Sequence, residues 1–283
     1  MNEEKPLVSV VTVVYNDVSN IERTILSVVN QTYKNIEYIM IDGGSTDGTV
    51  DIIKKYSDRI AYWVSEPDKG ILFAMNKGAG VATGEWINFM NSGDYFFNNT
   101  VFEEVFSHSH PSADFLYGSF ITKFGGLKVR CVPGDNVKNM AWQGMPLCHN
   151  ALFAKTTLMK KFPFDTRFKV SSDGDFVIRC AAAGSVFERV DQIIFRVGMQ
   201  GQGFSAVHWL KARAENWRIA RTYFPGLRTD FFHFQGLLQE LLFRIFKKIT
   251  SLVGLYQLLR FVYRKKIQNK IPLLPPNCFP FEG

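Results

Sequence analysis

Short apolar runs alternate with amphipathic segments over the first hundred residues. Residues 7–14 are β-branched and almost continuously apolar, as expected of a parallel strand that is covered on both faces. Apolar residues then recur at helical spacing between Ile21 and Val29. Further strands are predicted at 36–41, 60–64 and 86–90, with a helical segment before each one. This alternation predicts an α/β fold with a mostly parallel sheet flanked by helices.

Polar residues follow each of these four strands. They are Tyr15-Asn16-Asp17, Asp42, Asp68 and Ser92-Gly93-Asp94. Ligands of open α/β sheets bind beyond the carboxyl ends of the strands, so we expect these residues to lie near one another. The first strand–helix turn carries neither a G-x-G-x-x-G nor a G-x-x-x-x-G-K-[ST] pattern, which disfavours a dinucleotide or phosphoryl-transfer site.

Two of these carboxylates have two interpretations each. A carboxylate only accepts hydrogen bonds, so Asp42 could accept the N3–H of a uracil base, beside the backbone of Val14 and Tyr15. Alternatively, Asp42 and Asp47 build an Asx-type turn and a helix cap. Asp94, which ends an apolar strand, is either a turn residue or a metal ligand.

The remainder of the chain is less regular. Strands are predicted at 115–117 and 127–129, and helices at 175–183 and 207–224. Residues 231–270 carry leucines, isoleucines and phenylalanines at helical spacing, interleaved with Lys and Arg. No window reaches the ~18 uninterrupted apolar residues of a membrane-spanning helix.

Positive charge is concentrated near the C-terminus. Residues 211–283 hold thirteen Lys and Arg against four Asp and Glu, whereas the whole chain has a net charge of +7. We therefore expect a catalytic domain over 1–210 and a basic amphipathic helical tail over 211–283. The tail either associates with an anionic membrane surface or forms a helical cap or dimer contact. Nucleic-acid binding is not predicted, because the tail lacks a recognisable binding module and residues 1–210 are slightly acidic.

The cysteines and the N-terminus bear on the compartment. The four cysteines are far apart and show no C-x-x-C spacing, so neither a disulfide framework nor a zinc site is predicted. The first residues, MNEEKP, lack the basic and apolar regions of a secretory signal. A reducing cytoplasm is the expected location.

Several motifs, taken together and in order, resemble the family 2 glycosyltransferases. They are VSVVTVVYND, IEYIMIDGGSTDGT, SEPDKGI and GEWINFMNSGDYF within residues 7–97, then MPLCHNALF at 145–153 and FKVSSDGDFVIRC at 168–180. The resemblance is strongest to the branch that builds colanic acid, capsule and O-antigen repeat units. It implies a GT-A fold and an inverting hexosyltransferase that uses a nucleotide-diphosphate sugar, with a UDP-sugar favoured. The implied acceptor is a lipid-linked saccharide, which suits an enzyme on the inner face of the cytoplasmic membrane.

The resemblance also implies roles for individual residues. The residues implied to bind the nucleotide sugar are Val14, Tyr15, Asn16, Asp42, Asp68, Gly70, Asn76, Ser92 and Gly93. Asp94 matches the last residue of the D-x-D metal motif, whose first acidic position is Ser92 in this chain. One carboxylate is therefore expected to carry most of the ligation of Mg²⁺ or Mn²⁺, which would neutralise charge on the leaving nucleoside diphosphate. Leu72-Phe73 also departs from the family, which usually has Tyr-Asp there.

The segment Ser171-Ser172-Asp173-Gly174-Asp175 resembles the family's catalytic-base segment. Asp173 is the implied base and Asp175 a supporting residue. Asp173 could also cap a helix that begins near Gly174, and the two interpretations are compatible. His149 matches a position that is often histidine, and it contacts acceptor or diphosphate or is structural. His208, after a Gly-Phe-Ser loop, is a weaker candidate for the diphosphate. The remaining histidines are predicted to be surface or packing residues: His108, His110 and His233.

Two other functions remain as alternatives. One is a catalytically inactive, membrane-docked scaffold with a GT-A-like fold. The other is a sugar nucleotidyltransferase, which would need a glycine-rich basic triphosphate loop near the N-terminus. The presence of Asp42, Asp94 and Asp173 together favours an active glycosyltransferase.

Overall fold

A computed structural model describes residues 5–124, 127–144, 147–197, 208–252 and 278–280. The strands are β1 (Val8–Val14), β2 (Ile36–Asp42), β3 (Tyr62–Ser65), β4 (Trp86–Phe89), β5 (Tyr95–Phe96), β6 (Phe115–Phe124), β7 (Leu127–Cys131), β8 (Leu152–Lys155), β9 (Phe187–Arg196) and β10 (Cys278–Pro280). The helices are α1 (Ile21–Val29), α2 (Thr49–Lys55), α3 (Ile71–Val81), α4 (Val101–Val105), α5 (Val137–Met140), α6 (Thr156–Lys161), α7 (Ser172–Ala182), α8 (Trp209–Tyr223) and α9 (Leu227–Leu252). Short 3₁₀ turns lie at Ser57–Arg59, Ala141–Gln143 and His149–Ala151.

The first four strands form the parallel half of one sheet. They are ordered β3-β2-β1-β4, and β1 pairs in parallel with both of its neighbours. Every residue of β1 is buried, which agrees with its continuous apolar sequence. The predicted α/β fold, with helices on the faces of the sheet, is therefore confirmed.

An antiparallel half continues the sheet beyond β4. β8 runs antiparallel to β4, β6 to β8 and β7 to β6, and β10 closes that edge against β7. β9 pairs in parallel with β6 and antiparallel with the short β5. The register of β6 and β9 shifts around Gly118, where an added Cβ would lie 2.6 Å from the carbonyl oxygen of Gln192. The sheet is therefore mixed, and it bends where these two strands pack most closely.

Two apolar clusters cover the two faces of the sheet. One is rich in aromatic rings and packs α1 and α4 against β1, β4 and β8. The other packs α3, α6 and α7 against the opposite face. Helix α3 approaches β1 so closely that a Cβ on Gly78 would lie 2.4 Å from Val11 Cγ1. The core is thus complete on both sides of β1, and only the ends of its strands are left for ligands.

Helix α8 is part of the folded body. Ile219 and Ala220 on α8 are fully buried, and Ile219 packs in a small cluster with Phe168 and Ile178. The carboxylate of Glu215 accepts hydrogen bonds from the backbone N–H groups of residues 169–171, at 2.9–3.1 Å. The boundary that charge distribution placed between residues 210 and 211 therefore falls inside a helix that is packed on the catalytic body.

Helix α9 is anchored at its N-terminal half. Trp217 Nε1 donates a hydrogen bond to Asp230 Oδ1 at 2.7 Å, and His233 is buried with Nε2 3.1 Å from the carbonyl of Trp142. Further along, exposed apolar side chains recur at helical spacing: Phe231, Phe234, Leu238, Leu241, Leu242, Ile245 and Phe246. No helix in the described part of the chain is long and apolar enough to cross a membrane. Residues 253–277 of the predicted tail lie outside the described residues.

The cysteines depart from the sequence prediction. Cys131 is disulfide-bonded, whereas Cys148 and Cys180 are free thiols. β10 lies opposite β7 in a register that places Cys278 across from Cys131. The prediction of no disulfide was wrong, because it relied on spacing along the chain, and the sheet brings distant segments together. Disulfides are rare in a reducing cytoplasm, so the cysteines no longer support that location.

Candidate active site

A cleft of about 670 Å³ opens at the carboxyl ends of the parallel strands. Its lining comes from the end of β1, from the segments that follow β1, β2, β3 and β4, and from the first turn of α3. The lining residues are Val13, Val14, Tyr15, Asn16, Asp17, Gly43, Pro67, Asp68, Gly70, Ile71, Ala74, Asn91 and Ser92. Six of the nine residues implied to bind a nucleotide sugar are among them: Val14, Tyr15, Asn16, Asp68, Gly70 and Ser92. The structure thus brings most of the polar strand endings to one cleft.

Tyr15 and Asn16 form the mouth of the cleft. The Tyr15 side chain is 66% exposed. Asn16 adopts a left-handed backbone with φ of 48°, which asparagine tolerates better than most residues. Its N–H donates to Ser45 Oγ at 2.7 Å, and its Oδ1 accepts the N–H of Thr46 at 2.8 Å. These bonds hold the loop after β1 against the loop after β2.

Asp42 lies behind the cleft and is fully buried. Its Oδ2 accepts the N–H groups of Gly44 and Ser45 at 3.0 and 2.9 Å and the hydroxyl of Ser65 at 2.6 Å. Its Oδ1 accepts the hydroxyl of Ser45. These bonds form the turn of the alternative interpretation, and they already occupy the carboxylate. The predicted contact of Asp42 with a nucleobase stays a prediction.

Asp68 and Gly70 connect the cleft to helix α3. Asp68 Oδ1 accepts the N–H of Gly70 at 2.7 Å, and Gly70 has a φ of 120° that favours glycine. Gly43 makes room for the same carboxylate, since its Cβ would lie 3.1 Å from Asp68 Oδ2. α3 begins at Ile71, so the partial positive charge of its N-terminus is directed at the cleft.

Asn76 sits farther along α3 and is not among the lining residues. Its Nδ2 donates to the carbonyl of Phe164, and its Oδ1 accepts the N–H of Phe164, both at 2.9 Å. The amide therefore fastens the loop after α6 onto α3. Asn76 therefore positions a loop and does not itself line the cleft. Its contact with a nucleotide sugar stays a prediction.

The turn Asn91-Ser92-Gly93-Asp94 forms the inner end of the cleft. Gly93 has a φ of 96° and its N–H donates to Thr24 Oγ1, which in turn donates to the carbonyl of Asp94. Asp94 Oδ2 accepts a hydrogen bond from Asn150 Nδ2 at 3.2 Å. Helix α1 on one side and the His149–Ala151 turn on the other thus fix the position of the Asp94 carboxylate.

A second carboxylate lies beside Ser92, although the chain has no Asp at that position. Ser92 Oγ donates to Asp17 Oδ2 at 2.6 Å, and Asp17 Oδ1 accepts Asn20 Nδ2 at 2.6 Å. Asp17 is one of the polar residues that follow the predicted strands, and the sequence alone assigns it no role. Two features of the sequence could have identified Asp17 as a site residue. They are the Tyr-Asn-Asp segment after β1 and the absence of a carboxylate at position 92, which is Ser92.

The donor atoms at this end of the cleft suit a hard divalent cation. Carboxylate and hydroxyl oxygens are what Mg²⁺ and Mn²⁺ prefer, and such sites complete their shell with phosphate oxygens and water. Asp94 provides the oxygen fixed by Asn150, and Ser92 with Asp17 provides the neighbouring ones. The residues present therefore fit the metal that the D-x-D motif implies.

The implied base, Asp173, is hydrogen-bonded to His149. Asp173 lies in the first turn of α7, whose N-cap is Ser171, so it is not the cap residue. Its Oδ2 lies 3.1 Å from His149 Nδ1, and its Oδ1 accepts the N–H of Gly174 at 2.8 Å. The side chain stays 31% exposed. The carboxylate is thus oriented by two contacts and partly open to solvent.

Asn91 completes a chain of contacts to Asp173. Asn91 Nδ2 lies 3.2 Å from His149 Nε2. An amide nitrogen only donates, so in this arrangement Nε2 accepts and Nδ1 carries the hydrogen toward Asp173. Asn91 Oδ1 is buried and has no hydrogen-bond partner among the described residues. A rotated amide would instead let that oxygen accept Nε2–H.

The two acidic residues of α7 have opposite pKa shifts. Burial raises the pKa of Asp173, but the hydrogen bond and charge of His149 outweigh it, so the pKa lies below its usual value. Burial raises the pKa of Asp175, against the opposing effect of Arg179, whose Nε lies 2.7 Å from its Oδ2. Asp173 is therefore ionised at neutral pH, whereas Asp175 is almost fully buried in an ion pair that stabilises the helix.

Three asparagines that the sequence pattern did not single out hold the site together. Asn88 Nδ2 donates to the carbonyls of Asn150 and Leu152, at 3.0 and 2.9 Å. Asn150 contacts Asp94, and Asn91 contacts His149. The one available signal was a polar Asn88 inside the apolar strand Trp86–Phe89. His208, by contrast, is exposed at the start of α8, and the loop before it lies outside the described residues.

Comparison with known sequences identifies the family. Residues 9–169 match the model of glycosyl transferase family 2. An uncharacterised glycosyltransferase of Mycobacterium tuberculosis is 34% identical over 182 residues, covering 62% of this chain and 69% of the relative. A glycosyltransferase of PGL/p-HBAD biosynthesis from Mycobacterium bovis is 26% identical over 195 residues, covering 67% and 75%.

Solved structures share the fold. Staphylococcus aureus TarS 1–349 in complex with UDP-GlcNAc superposes with a TM-score of 0.62 at 18% identity, covering 76% of this chain. The chain spans 65% of that TarS fragment. The mannosyltransferase PcManGT of Pyrobaculum calidifontis, in complex with GDP-Man and Mn²⁺, gives 0.60 at 17% identity, covering 95% and 89%. The predicted GT-A fold is therefore confirmed. Together with the family match, this shows that the chain is a glycosyltransferase and belongs to glycosyl transferase family 2.

Proposed function

We propose that the chain transfers a sugar, with inversion, from a nucleotide-diphosphate donor to a lipid-linked saccharide in bacterial surface-polysaccharide assembly. One observation carries this proposal. The adjacent residues His149 and Asn150 contact Asp173 and Asp94 respectively, so one short turn holds the implied base and the implied metal ligand. A transferase needs these two groups in fixed relation, because one acts on the acceptor and the other on the leaving group.

The cleft would take the donor with its diphosphate directed inward. Tyr15 offers an exposed ring at the mouth, and the N-terminus of α3 favours a negative group near Gly70. A UDP-sugar is the favoured donor, and the complex of TarS with UDP-GlcNAc supports a uridine nucleotide in this fold. Asp42 would support the nucleobase from behind, through the turn that its hydrogen bonds order.

The implied cation, Mg²⁺ or Mn²⁺, would be held by Asp94, with Ser92 and Asp17 beside it. When bound, it supplies positive charge that stabilises the leaving nucleoside diphosphate. The PcManGT complex with GDP-Man and Mn²⁺ supports a divalent cation in this fold. Asp173 would accept the proton of the acceptor hydroxyl on the face opposite the leaving group, while His149 holds its carboxylate in place.

The acceptor side would lie on the inner face of the cytoplasmic membrane. Helix α9 presents an exposed apolar stripe, and the chain beyond residue 210 is strongly basic. A helix with these two properties binds the interface of an anionic leaflet. A lipid-linked acceptor would then be delivered beside the cleft. The alternative for this stripe is a helical cap or a contact between two copies of the chain.

The assigned base is tested by Asp173→Asn. We expect it to fold and to bind the donor, and to lower transfer or donor hydrolysis by about 10²- to 10⁴-fold, because the amide cannot accept the proton. The donor is found first from a thermal-shift panel of UDP-, GDP- and dTDP-sugars with Mn²⁺. Asp58→Asn, in the exposed 3₁₀ turn Ser57–Arg59, is the matched control. Full activity in Asp173→Asn would remove the assigned base, and an inactive wild-type chain that binds donors would favour the scaffold.

The pairing of His149 with Asp173 predicts a shifted pH profile. A base works when ionised, so kcat/KM falls as pH drops through the pKa of Asp173. His149 holds that pKa low against the effect of burial. In His149→Ala burial is opposed only by hydrogen bonds from backbone N–H groups, such as that of Gly174, and we expect the acidic limb to move to higher pH. His108→Ala, at a surface histidine away from the cleft, should keep the wild-type profile. An unshifted limb in His149→Ala would show that the pair does not set the protonation of the base.

Metal affinity separates Asp94 from Asp17. We expect Asp17→Asn to weaken Mn²⁺ binding by about tenfold, as loss of a supporting group does, and Asp94→Asn to weaken it further. Free Mn²⁺ is measured by electron paramagnetic resonance in the presence of UDP, which needs no turnover. Asp51→Asn, on the exposed face of α2, is the control. Wild-type Mn²⁺ affinity in Asp17→Asn would show that Asp17 does not support the metal. Its carboxylate would then only hold Ser92 and Asn20 in place.

Membrane binding is tested with lipid vesicles and the full chain. We expect sedimentation with vesicles that contain phosphatidylglycerol and weaker binding to purely zwitterionic ones. Replacing Phe231, Phe234 and Leu238 by Ser should reduce binding at least about tenfold, because each exposed side chain contributes apolar area. Val186→Ser, an exposed apolar residue on another surface, should bind as wild type. Unchanged binding of the triple variant, or a change only in oligomeric state by light scattering, would refute the membrane role.

A further inference from the structure

Two histidines and a glutamate meet at the end of the sheet opposite the cleft. His108 and His110 follow helix α4, and Glu188 is the second residue of β9. One potential ligand atom from each lies within 4.8 Å of the other two, and among the described residues no other group of three His, Cys, Asp or Glu does so. The strand register aligns the start of β6 and β9 with Ala154 and hence with the start of β4. The cluster is therefore remote from Asp94 and Asp173.

Hydrogen bonds outside the cluster set which nitrogen of each histidine carries a hydrogen and which is left to accept a metal. His110 Nε2 lies 2.9 Å from the carbonyl of Val105, the last residue of α4. A carbonyl only accepts, so Nε2 carries a hydrogen and Nδ1 is the atom that points at Glu188. His110 is buried, with its side chain only 1% exposed, which fixes this ring orientation.

The orientation of His108 follows from the hydroxyl of Ser107. Ser107 Oγ donates its one hydrogen to the carbonyl of Glu104 at 3.0 Å, so toward His108 Nδ1, at 3.1 Å, it acts as acceptor. Nδ1 therefore carries a hydrogen, and Nε2 has the free lone pair. Metal-binding histidines characteristically donate their second N–H to a protein acceptor in this way.

We propose that His108 Nε2, His110 Nδ1 and Glu188 Oε1 form a zinc site. Two imidazoles and one carboxylate suit Zn²⁺, with water as the fourth ligand, whereas Mg²⁺ and Ca²⁺ prefer all-oxygen sites. His110 Nδ1 and Glu188 Oε1 are 2.6 Å apart and share one hydrogen. Zn²⁺ takes the place of that hydrogen, which leaves to solvent. Tetrahedral bonds of roughly 2.0–2.1 Å require these two atoms to separate further, and the side chain of Glu188, 40% exposed, is free to move.

The role assigned to this metal is structural. It joins the segment after α4 to the first residues of β9, which His110 and Glu188 already link by a side-chain contact. It neither uses nor depends on the proposed transferase chemistry. Zn²⁺ should therefore stabilise the fold and leave the occupancy of the cleft unchanged.

The test uses the full chain with any affinity tag removed, in excess Mg²⁺ so that the cleft does not take zinc. We expect one Zn²⁺ per chain by calorimetry, and a melting temperature that rises by roughly 5–10 °C at 100-fold excess over the dissociation constant. Co²⁺ in the same site should show the strong visible absorption of tetrahedral coordination, lost on adding Zn²⁺.

His108→Ala and Glu188→Gln should each weaken Zn²⁺ binding by about tenfold or more and abolish the cobalt absorption. His108 is exposed, so its variant keeps the metal-free melting temperature. His208→Ala, at another exposed histidine, should bind zinc as wild type. Absence of saturable one-to-one binding would overturn the proposal, as would wild-type binding in both cluster variants or a loss confined to His208→Ala.

Discussion

The site depends on one buried amide in the middle of the sheet. Asn88 is fully buried in β4, and its Nδ2 must find acceptors because an unpaired buried donor costs about 1–3 kcal/mol. It finds the carbonyls of Asn150 and Leu152, one on each side of the point where the chain enters β8. This pair of bonds fixes the His149–Ala151 turn across the end of β4. The contacts of His149 to Asp173 and of Asn150 to Asp94 follow from that placement.

The charge of the cleft favours a bound cation. Its lining includes the carboxylates of Asp17 and Asp68 and, among the described residues, no Lys or Arg, and Asp94 follows the lining residue Ser92 closely in the chain. A nucleoside diphosphate is itself an anion, and like charges a few ångströms apart repel by about 4 kcal/mol at an effective dielectric constant of 20. The N-terminus of α3 offsets only part of this, since a helix end carries about half a charge. Donor binding and metal binding are therefore expected to depend on each other. Oxygens of the protein and of the nucleoside diphosphate would bind the same ion.

The first half of the fold could be predicted because its signals are local. Strands β1 to β4 are apolar runs separated by helical periodicity, and each lies where the pattern placed it. β8 and β9 were missed because they are specified by partners far along the chain, β4 and β6, and the polar Asp191 and Gln192 interrupt the alternation of β9. The same limit applies to Cys131, whose disulfide depends on the register of distant strands.

The residues of the candidate site likewise fall into those that the sequence predicts and those that it does not. Acidic residues at strand ends were visible as a pattern, because carboxylates next to small residues stand out after an apolar run. Asn88, Asn91 and Asn150 were not, because an amide becomes informative only when its partner is known. Asp42 shows the converse: the sequence left a turn and a nucleobase contact open, and the buried carboxylate accepts hydrogen bonds from its own turn and from Ser65. The nucleobase contact stays a prediction.

The C-terminal helices are connected through hydrogen bonds to the start of α7, which carries Asp173. Glu215 on α8 binds the three N–H groups that immediately precede α7, and Asp173 is the second residue of α7. α9 is fastened to α8 by Trp217 and Asp230, and Arg244 stacks on Trp209 at 4.3 Å. If α9 rests on a membrane as proposed, a tilt of α9 would be transmitted through α8 to the start of α7. Docking at the bilayer would then fix the position of Asp173 relative to the membrane surface, and so the depth at which an acceptor hydroxyl can reach it.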